Sequence, residues 1–288
     1  MRENLKLAIQ KKGRLTEKTI ELLKNCGLDI ENYSDRLMVP ARNFPIDLIF
    51  LRDDDIPEYV QDGVTDIGIV GENILFEKNT NVDIGFRLGY SKCKLTIAVP
   101  EAIEYNSIAE LNNKRIATSY PVILKNFLMK NNINAKIIDI SGSVEVAPSL
   151  GITDLICDIV STGNTLRLHK LKPFIDIFNS EAVLIKNLSL EKNNYKQEIL
   201  SKLLLRIESA IKAKKSKYIM MNIPKESLDI VSNIIPSLKS PTILPLADES
   251  MLAVHAVIPS DQFWEINDKL KDTGASGILL IPIENMIL

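Results

Sequence analysis

Histidine is nearly missing from this sequence: His169 and His255 are the only two among 288 residues. They fall in different expected domains, so no histidine pair or histidine-rich metal site can be assembled within one protomer's active site, which argues against a hydrolytic zinc enzyme. Cysteine is almost as scarce. Cys26, Cys93 and Cys157 are odd in number, far apart, and without a second cysteine or a histidine at metal-ligand spacing, so they read as reduced thiols. Cys93 and Cys157, set in apolar runs, read as small hydrophobes in strands. No apolar run reaches the roughly 18 residues that a membrane span needs. The opening MRENLKLAIQKKGRL holds only a short apolar stretch broken by charge, from which neither a signal peptide nor a membrane anchor is expected. Net charge is also nearly absent. With 35 basic and 37 acidic residues, the formal charge of -2 gives no global positive field to hold a nucleic-acid backbone, although a local basic patch stays open. No Gly-x-Ser-x-Gly elbow, Walker loop or paired GxGxxG occurs. A cytoplasmic protein with no nucleic-acid or membrane partner is expected, and the composition names no function by itself.

What is present is the composition of an ordinary globular protein: 45% hydrophobic and 25% charged residues. The length favours two domains, or three if one is small. Over the first two hundred residues, short β-rich runs alternate with amphipathic stretches, the pattern of parallel strands covered by helices on both faces. The strand candidates are LKLAI (5–9), IDLIFL (46–51), DIGIVG (66–71), KLTIAVP (94–100), RIATS (115–119), AKIIDI (135–140) and DLICDIV (154–160). Helices are expected over 16–25, with Gly27 as its C-cap, and over 121–130, where the proline suits a first turn. An α/β class follows. A strand-rich stretch over 174–186 precedes an apolar stripe at helical spacing, Ile199, Leu203, Ile207 and Ile211. KAKKSK (212–217) then reads either as a solvated linker or as a basic phosphate-binding run. Beyond it the order becomes strand, helix, strand, strand, helix, strand, which is the ferredoxin-like βαββαβ motif. Ser260 and Asp261 suit the start of its second helix.

The most informative stretch is GITDLICDIVSTGNTLRLHKL (151–171). An apolar strand carrying Asp154 and Asp158 runs into Ser161, Thr162, Gly163, Asn164 and Thr165, and a helix start follows. Such a loop offers backbone N–H groups, hydroxyl donors and a positive helix end converging where a phosphate monoester can sit, and Gly163 lets the backbone approach it. The alternative is a capped helix start, because Ser, Thr and Asn are preferred cap residues in any protein. The two aspartates, four apart on a strand, share a face and could reach toward ribose hydroxyls or magnesium.

An acid-bearing strand ending in a TGxT loop resembles the pyrophosphorylated-ribose site of phosphoribosyltransferases, and VEVAPSLGITDLICDIVSTGNTL resembles the ATP phosphoribosyltransferases in particular. KGRL (12–15), DIPEYVQDGVTDIGIVGENIL, CKLTIAVP and RIATSYP are similar to that family's motifs in the expected order, and the resemblance spans nearly the whole chain. One departure is RDDDIP (52–57), where the family usually has a less acidic pair, which leaves Asp53 and Asp54 without an assigned role. The resemblance implies a two-lobed periplasmic-binding-protein-like catalytic body of two α/β lobes plus a C-terminal ferredoxin-like regulatory domain. Residues 1–92 with 174–213 would form lobe I, 93–173 lobe II, and 214–288 the regulatory domain.

It further implies transfer of a phosphoribosyl group from phosphoribosyl pyrophosphate to N1 of ATP, the first step of histidine biosynthesis. Magnesium would serve as cofactor, histidine as feedback inhibitor, and the assembly would be a homohexamer built from dimers. Ser161, Thr162, Gly163, Asn164 and Thr165 would hold the 5-phosphate. Asp154, Asp158 and Glu145 would serve ribose and chemistry, with Asp158 also facing the metal. Lys12, Gly13, Arg14, Arg52, Arg115, Thr118 and Tyr120 would go to ATP, and Asn222, Ser240, Thr242 and Asp248 to histidine. Each also has a plain reading: an exposed loop arginine for Arg14, a packing ring for Tyr120, a helix-dipole charge for Glu145. The rival functions are a small-molecule receptor, since such bodies resemble periplasmic solute receptors, and a noncatalytic regulatory paralogue.

Overall fold

The structure, a computed structural model, describes the chain except residues 1–2, 32–35, 161–162, 236–237, 239 and 288. Two units divide it: Met1–Glu21 with Asp29–Leu200, and Leu22–Leu28 with Ser201–Leu288.

The chain begins β1 (Leu5–Gln10), α1 (Arg14–Asn25), β2 (Met38–Pro40), β3 (Ile46–Leu51), α2 (Ile56–Gln61), β4 (Ile67–Gly71), α3 (Glu72–Lys78) and β5 (Asp83–Arg87). It continues through β6 (Cys93–Pro100), β7 (Arg115–Thr118), α4 (Pro121–Lys130), β8 (Lys136–Asp139), β9 (Leu155–Val160), α5 (Asn164–Leu168), β10 (Leu171–Ser180), β11 (Ala182–Lys186) and α6 (Asn194–Lys214). The strands of the first unit make two sheets, ordered β2-β3-β1-β4-β11-β5 and β10-β6-β9-β7-β8.

These sheets share one plan. Each has three parallel strands, β3-β1-β4 in one and β8-β7-β9 in the other, followed by an antiparallel pair, β11-β5 and β6-β10. In each pair the strand beside the parallel trio is the one that comes directly after a crossing from the other sheet: β11 follows β10, and β6 follows β5. A repeated order with exchanged strands is the expected two-lobed α/β body. β2 is an added edge strand paired antiparallel to β3.

Near-continuous apolar strands require cover on both faces. On the second sheet, Ile123, Leu124 and Leu128 of α4 pack over one face, while Val144, Ala147 and Leu166 pack over the other with Ala117 and Ile156. On the first sheet, Ile56 and Val60 of α2 pack with Val70, Val183 and Ile185. That helix sits close because β4 carries Gly68, where an added Cβ would meet Ile56 Cγ2 at 2.6 Å.

Two readings differ from expectation. β10 pairs with β6 from Leu171 to Ser180, so the return to the first sheet comes at Glu181 rather than at 174; one apolar-rich stretch hides two strands. By contacts the second unit takes in part of α6 from Ser201, together with Leu22–Leu28, with Arg206 donating to the Cys26 carbonyl at 3.3 Å. KAKKSK is no linker, because Lys214 ends α6 and Ser216 starts the next strand.

The second unit then holds β12 (Ser216–Pro224), α7 (Leu228–Ile234), β13 (Thr242–Pro245), β14 (Met251–Pro259), α8 (Phe263–Asp272) and β15 (Ser276–Pro282). The sheet order β13-β14-β12-β15, antiparallel throughout, is the ferredoxin-like arrangement. Ile219, Met221, Ile223, Val254, Ile258, Phe263 and Leu270 form its core. α8 starts at Phe263 with Gln262 at its cap and no capping side chain, so Ser260 and Asp261 do not fill that role. α7 ends at Ile234, with no proline to stop it before 236.

Candidate active site

Parallel strands set the ends of β1, β3, β4, β7, β8 and β9 along two edges of the first unit, and carboxyl edges are where open α/β sheets bind ligands. On the first edge the segment after β1 is tied to β3 by Lys11 N–H donating to the Leu51 carbonyl at 2.8 Å. Gly13 takes a φ of +120°, a conformation that glycine adopts readily, and Arg14 opens α1. Arg52 directly follows β3. Lys12, Arg14 and Arg52 are exposed, and among the described residues no carboxylate pairs with them. Cations held this way suit a polyphosphate.

On the second edge, β9 delivers Asp158 near its end. Val144 and Leu166 belong to one buried apolar cluster, which brings the turn bearing Glu145 near the start of α5, so Asp158, Glu145 and Gly163 to Thr165 share one end of the sheet. Gly163 caps α5 with a φ of +75°, and Asn164 and Thr165 are exposed in its first turn. Ser161 and Thr162 lie outside the described residues. Burial holds the Asp158 carboxyl above the usual carboxylate range, and the Glu145 carboxylate raises it further. Two carboxylates repelling each other beside a phosphate loop favour a cation between them and the ligand.

Between the edges lies a cavity of about 490 Å³ whose lining includes Asp53, Asp54, Glu77, Tyr120 and Asp139. Burial raises the Asp53 carboxyl, with Asp54 adding to it. Tyr120 stands at the start of α4, its ring against the apolar core of the second sheet and its phenol accepting from Asn73 Nδ2 at 3.2 Å. Burial pushes the phenol upward, and Asp158 adds to the shift, so it stays protonated. Thr118 is buried, and its hydroxyl accepts the Tyr120 backbone N–H at 2.9 Å. It therefore shapes the turn rather than facing the cavity.

Asp154 and Arg115 do not join the site. In the parallel pairing Ile116 stands opposite Leu155, so Arg115 and Asp154 sit at the entering ends of β7 and β9, away from the carboxyl edge. There Arg115 Nη2 meets Asp154 Oδ1 at 2.8 Å, and the Arg115 backbone N–H meets Oδ2 at 2.8 Å. The Arg115 guanidinium and backbone hold the Asp154 carboxyl below its ordinary range. Four residues along a strand span about 13 Å, too far for both aspartates to serve one sugar.

Three residues of this region carry no signal in the sequence. Glu77 of α3 accepts the N–H groups of Val122 and Ile123, at 2.9 and 3.1 Å, and Asn73 and Ser180 are buried and bonded to each other. Each partner lies tens of residues away, and no local pattern marks them. Among the described residues no group of three or more His, Cys, Asp or Glu is placed to hold a metal, so a cation would need the substrate's own oxygens. The three thiols are unpaired, and burial pushes that of Cys26 up to about 12.

In the second unit, Thr242 lies opposite His255, and Asn222 opposite Ala253. Strand alternation therefore puts Thr242, Asn222 and His255 on the sheet face away from the helices. His255 Nδ1 lies 2.8 Å from the Tyr218 hydroxyl. Asp248 is exposed and accepts from Ser250 at 2.9 and 2.6 Å, and Ser240 is exposed just before β13. Ser240 and Asp248 flank opposite ends of β13, so the four do not converge on one point.

The family model described as ATP phosphoribosyltransferase (HisG) matches residues 52–209, and that described as HisG, C-terminal domain, matches residues 213–285. An ATP phosphoribosyltransferase of Cytophaga hutchinsonii is 49% identical over 285 residues, covering 98% of both chains. One from Bacteroides thetaiotaomicron is 49% identical over 284 residues, covering 99% of this chain and all of its own. Among solved structures, the ATP phosphoribosyl transferase (HisG:HisZ) complex from Thermotoga maritima matches with a TM-score of 0.60 and 32% identity, over 71% of this chain and 98% of that one. No described helix is long and apolar enough to cross a membrane.

Proposed function

We propose, from the premise that this chain belongs to the ATP phosphoribosyltransferase family, that the two facing sheet edges of its first unit divide the substrates between them. The reaction is transfer of the phosphoribosyl group of phosphoribosyl pyrophosphate to N1 of the adenine of ATP, releasing pyrophosphate, the first step of histidine biosynthesis. The purine N1 carries its own lone pair, so neither a covalent enzyme nucleophile nor a general base is required. The protein's contribution is to align N1 with the anomeric carbon and to stabilise charge as the bond to pyrophosphate lengthens.

In this reading Gly163, Asn164 and Thr165, with Ser161 and Thr162, take the 5-phosphate, while Asp158 and Glu145 take the ribose and its cation. Lys12, Arg14 and Arg52 take polyphosphate oxygens, with Gly13 allowing close approach, and the ring of Tyr120 stacks on the purine. The observation that carries it is the placing of Asp158, near the end of β9, and of the turn bearing Glu145 by the loop that begins α5, where among the described residues neither carboxylate has an ion-pair partner. Asp158 and Glu145 would hold a magnesium ion carried by the pyrophosphate, which would neutralise charge on the leaving group. Asp154, paired with Arg115 elsewhere, has no part.

The second unit is read as the regulatory domain, with free histidine acting on the open sheet face that carries Thr242 and Asn222. Leu244, Leu279 and Ile281 are exposed apolar residues whose register partners put them on that same face, and this supports a homohexamer built from dimers. The substrates and the three thiols suit the cytoplasm.

The test of the phosphate assignment is titration of magnesium phosphoribosyl pyrophosphate into wild-type protein and Thr165→Val. Loss of one charge-assisted hydrogen bond, worth roughly 1.5 to 3 kcal/mol, should weaken binding about tenfold or more. Unaltered affinity would remove Thr165 from the site.

A further inference from the structure

Asn73 is buried at the start of α3, where the first sheet approaches the second. Its backbone N–H donates to Ser180 Oγ at 3.0 Å, which leaves the serine one proton, and that proton is donated to Asn73 Oδ1 at 2.8 Å. The two bonds fix which way the amide faces. Its Nδ2 is turned to Tyr120 and donates to the phenol oxygen at 3.2 Å. A phenol that accepts from an amide N–H cannot send its own proton back along the same line. The O–H is left to donate on its other side, and Tyr120 is itself a lining residue of the cavity it shares with Asp53 and Ser119.

Ser180 is the last residue of β10, in the second sheet, and is itself buried. Asn73 follows β4, in the first, and Tyr120 follows β7, in the second. One amide thus links the crossing between the sheets to the residue at the cavity wall. We infer that Asn73 is a positioning residue for the transfer reaction, which through Ser180 holds the Tyr120 hydroxyl with its proton directed at an acceptor on the bound nucleotide. The inference rests on the reading that Tyr120 faces the nucleotide.

The experiment is a cycle of four full-length proteins, wild type, Asn73→Asp, Tyr120→Phe and the double variant, assayed for pyrophosphate release from ATP and phosphoribosyl pyrophosphate. Aspartate keeps the volume and still accepts from Ser180, but it presents an oxygen to the phenol and draws its proton back. Asn73→Asp should lower kcat about tenfold or more, with KM for phosphoribosyl pyrophosphate changed less than about threefold and the melting temperature near wild type. In the Tyr120→Phe background the same substitution should change kcat by less than about threefold, because the proton it misdirects is gone. Wild-type kcat in Asn73→Asp, with Tyr120→Phe impaired, would overturn the inference and leave the placement of Tyr120 standing. A tenfold penalty that persists without the phenol hydroxyl would overturn it too, assigning the loss to the added charge. Wild-type kcat in Tyr120→Phe alone would show the hydroxyl to be unused and would overturn the inference at its base. Should Asn73→Asp fail to fold, Ser180→Ala enters the same cycle: a smaller loss that vanishes beside Tyr120→Phe supports the inference, and an additive loss contradicts it.

Discussion

Asp154 and Asp158 stand four residues apart on one strand, and their surroundings push them in opposite directions. Asp154 is held ionised by Arg115 at the end of the sheet remote from the phosphate loop, whereas Asp158 is raised by burial and by Glu145 beside that loop. Substituting each by asparagine separates structure from chemistry. Asp158→Asn should reduce activity on the order of 100-fold, the scale of a lost preorganised electrostatic group, and leave the melting temperature within a few degrees. Asp154→Asn should keep kcat/KM within about threefold and lower the melting temperature by a few degrees at pH 7, a modest loss because the pair is partly exposed. A carboxyl depressed in the folded state contributes stability above its unfolded value and loses it as the pH falls. The gap between wild type and Asp154→Asn should therefore close as the pH drops below about 4. Thermal denaturation across that range, beside initial rates, checks both. An inactive Asp154→Asn with unchanged stability would reverse the two roles. From sequence the two aspartates looked equivalent, because strand periodicity reports the face a residue occupies and says nothing of its distance along the strand.

Helix α3 joins the two sheets by contacts that no local pattern announces. Glu77 lends its carboxylate to Val122 and Ile123 at the start of α4, where Tyr120, at the cap position, makes no side-chain cap. Phe76 and Phe178 rings lie 5.1 Å apart. Removing a helix cap costs about 0.5 to 2 kcal/mol, so Glu77→Ala should lower unfolding free energy by that amount in a denaturant titration, and an unchanged midpoint would show the contact to be idle. The long apolar strands were legible because their runs are continuous: IDLIFL matches β3 residue for residue, and MLAVHAVIP matches β14. The proline opening α4 and the glycine after α1 marked those ends correctly. β2, with three residues, and β5, with an exposed polar pattern, were not legible, nor were α2 and α3 at six and seven residues. Elements so short form because the sheet beneath them is already in place. The phosphate loop was readable as a motif, while the bonds joining Asn73 to Ser180 span 107 residues of sequence and exist only once both sheets have folded.

At the scale of the molecule, a complete two-sheet unit is followed by a four-stranded unit with its own core. Histidine bound to the second can inhibit only by favouring one arrangement of subunits over another, a coupling of roughly 1 to 3 kcal/mol. Thr242→Ala, a change on an exposed edge strand, should stay active and respond less to histidine, read as a rightward shift of the inhibition curve. Wild-type enzyme indifferent to millimolar histidine would contradict the regulatory reading. On this reading the chain performs transfer rather than capture, and pyrophosphate release from ATP plus phosphoribosyl pyrophosphate in the presence of magnesium distinguishes the two. Wild-type protein should release pyrophosphate in step with formation of an N1-linked phosphoribosyl-ATP, and Asp158→Asn should slow both on the order of 100-fold. Binding of either ligand with no pyrophosphate released would make the cleft a receptor and contradict the account.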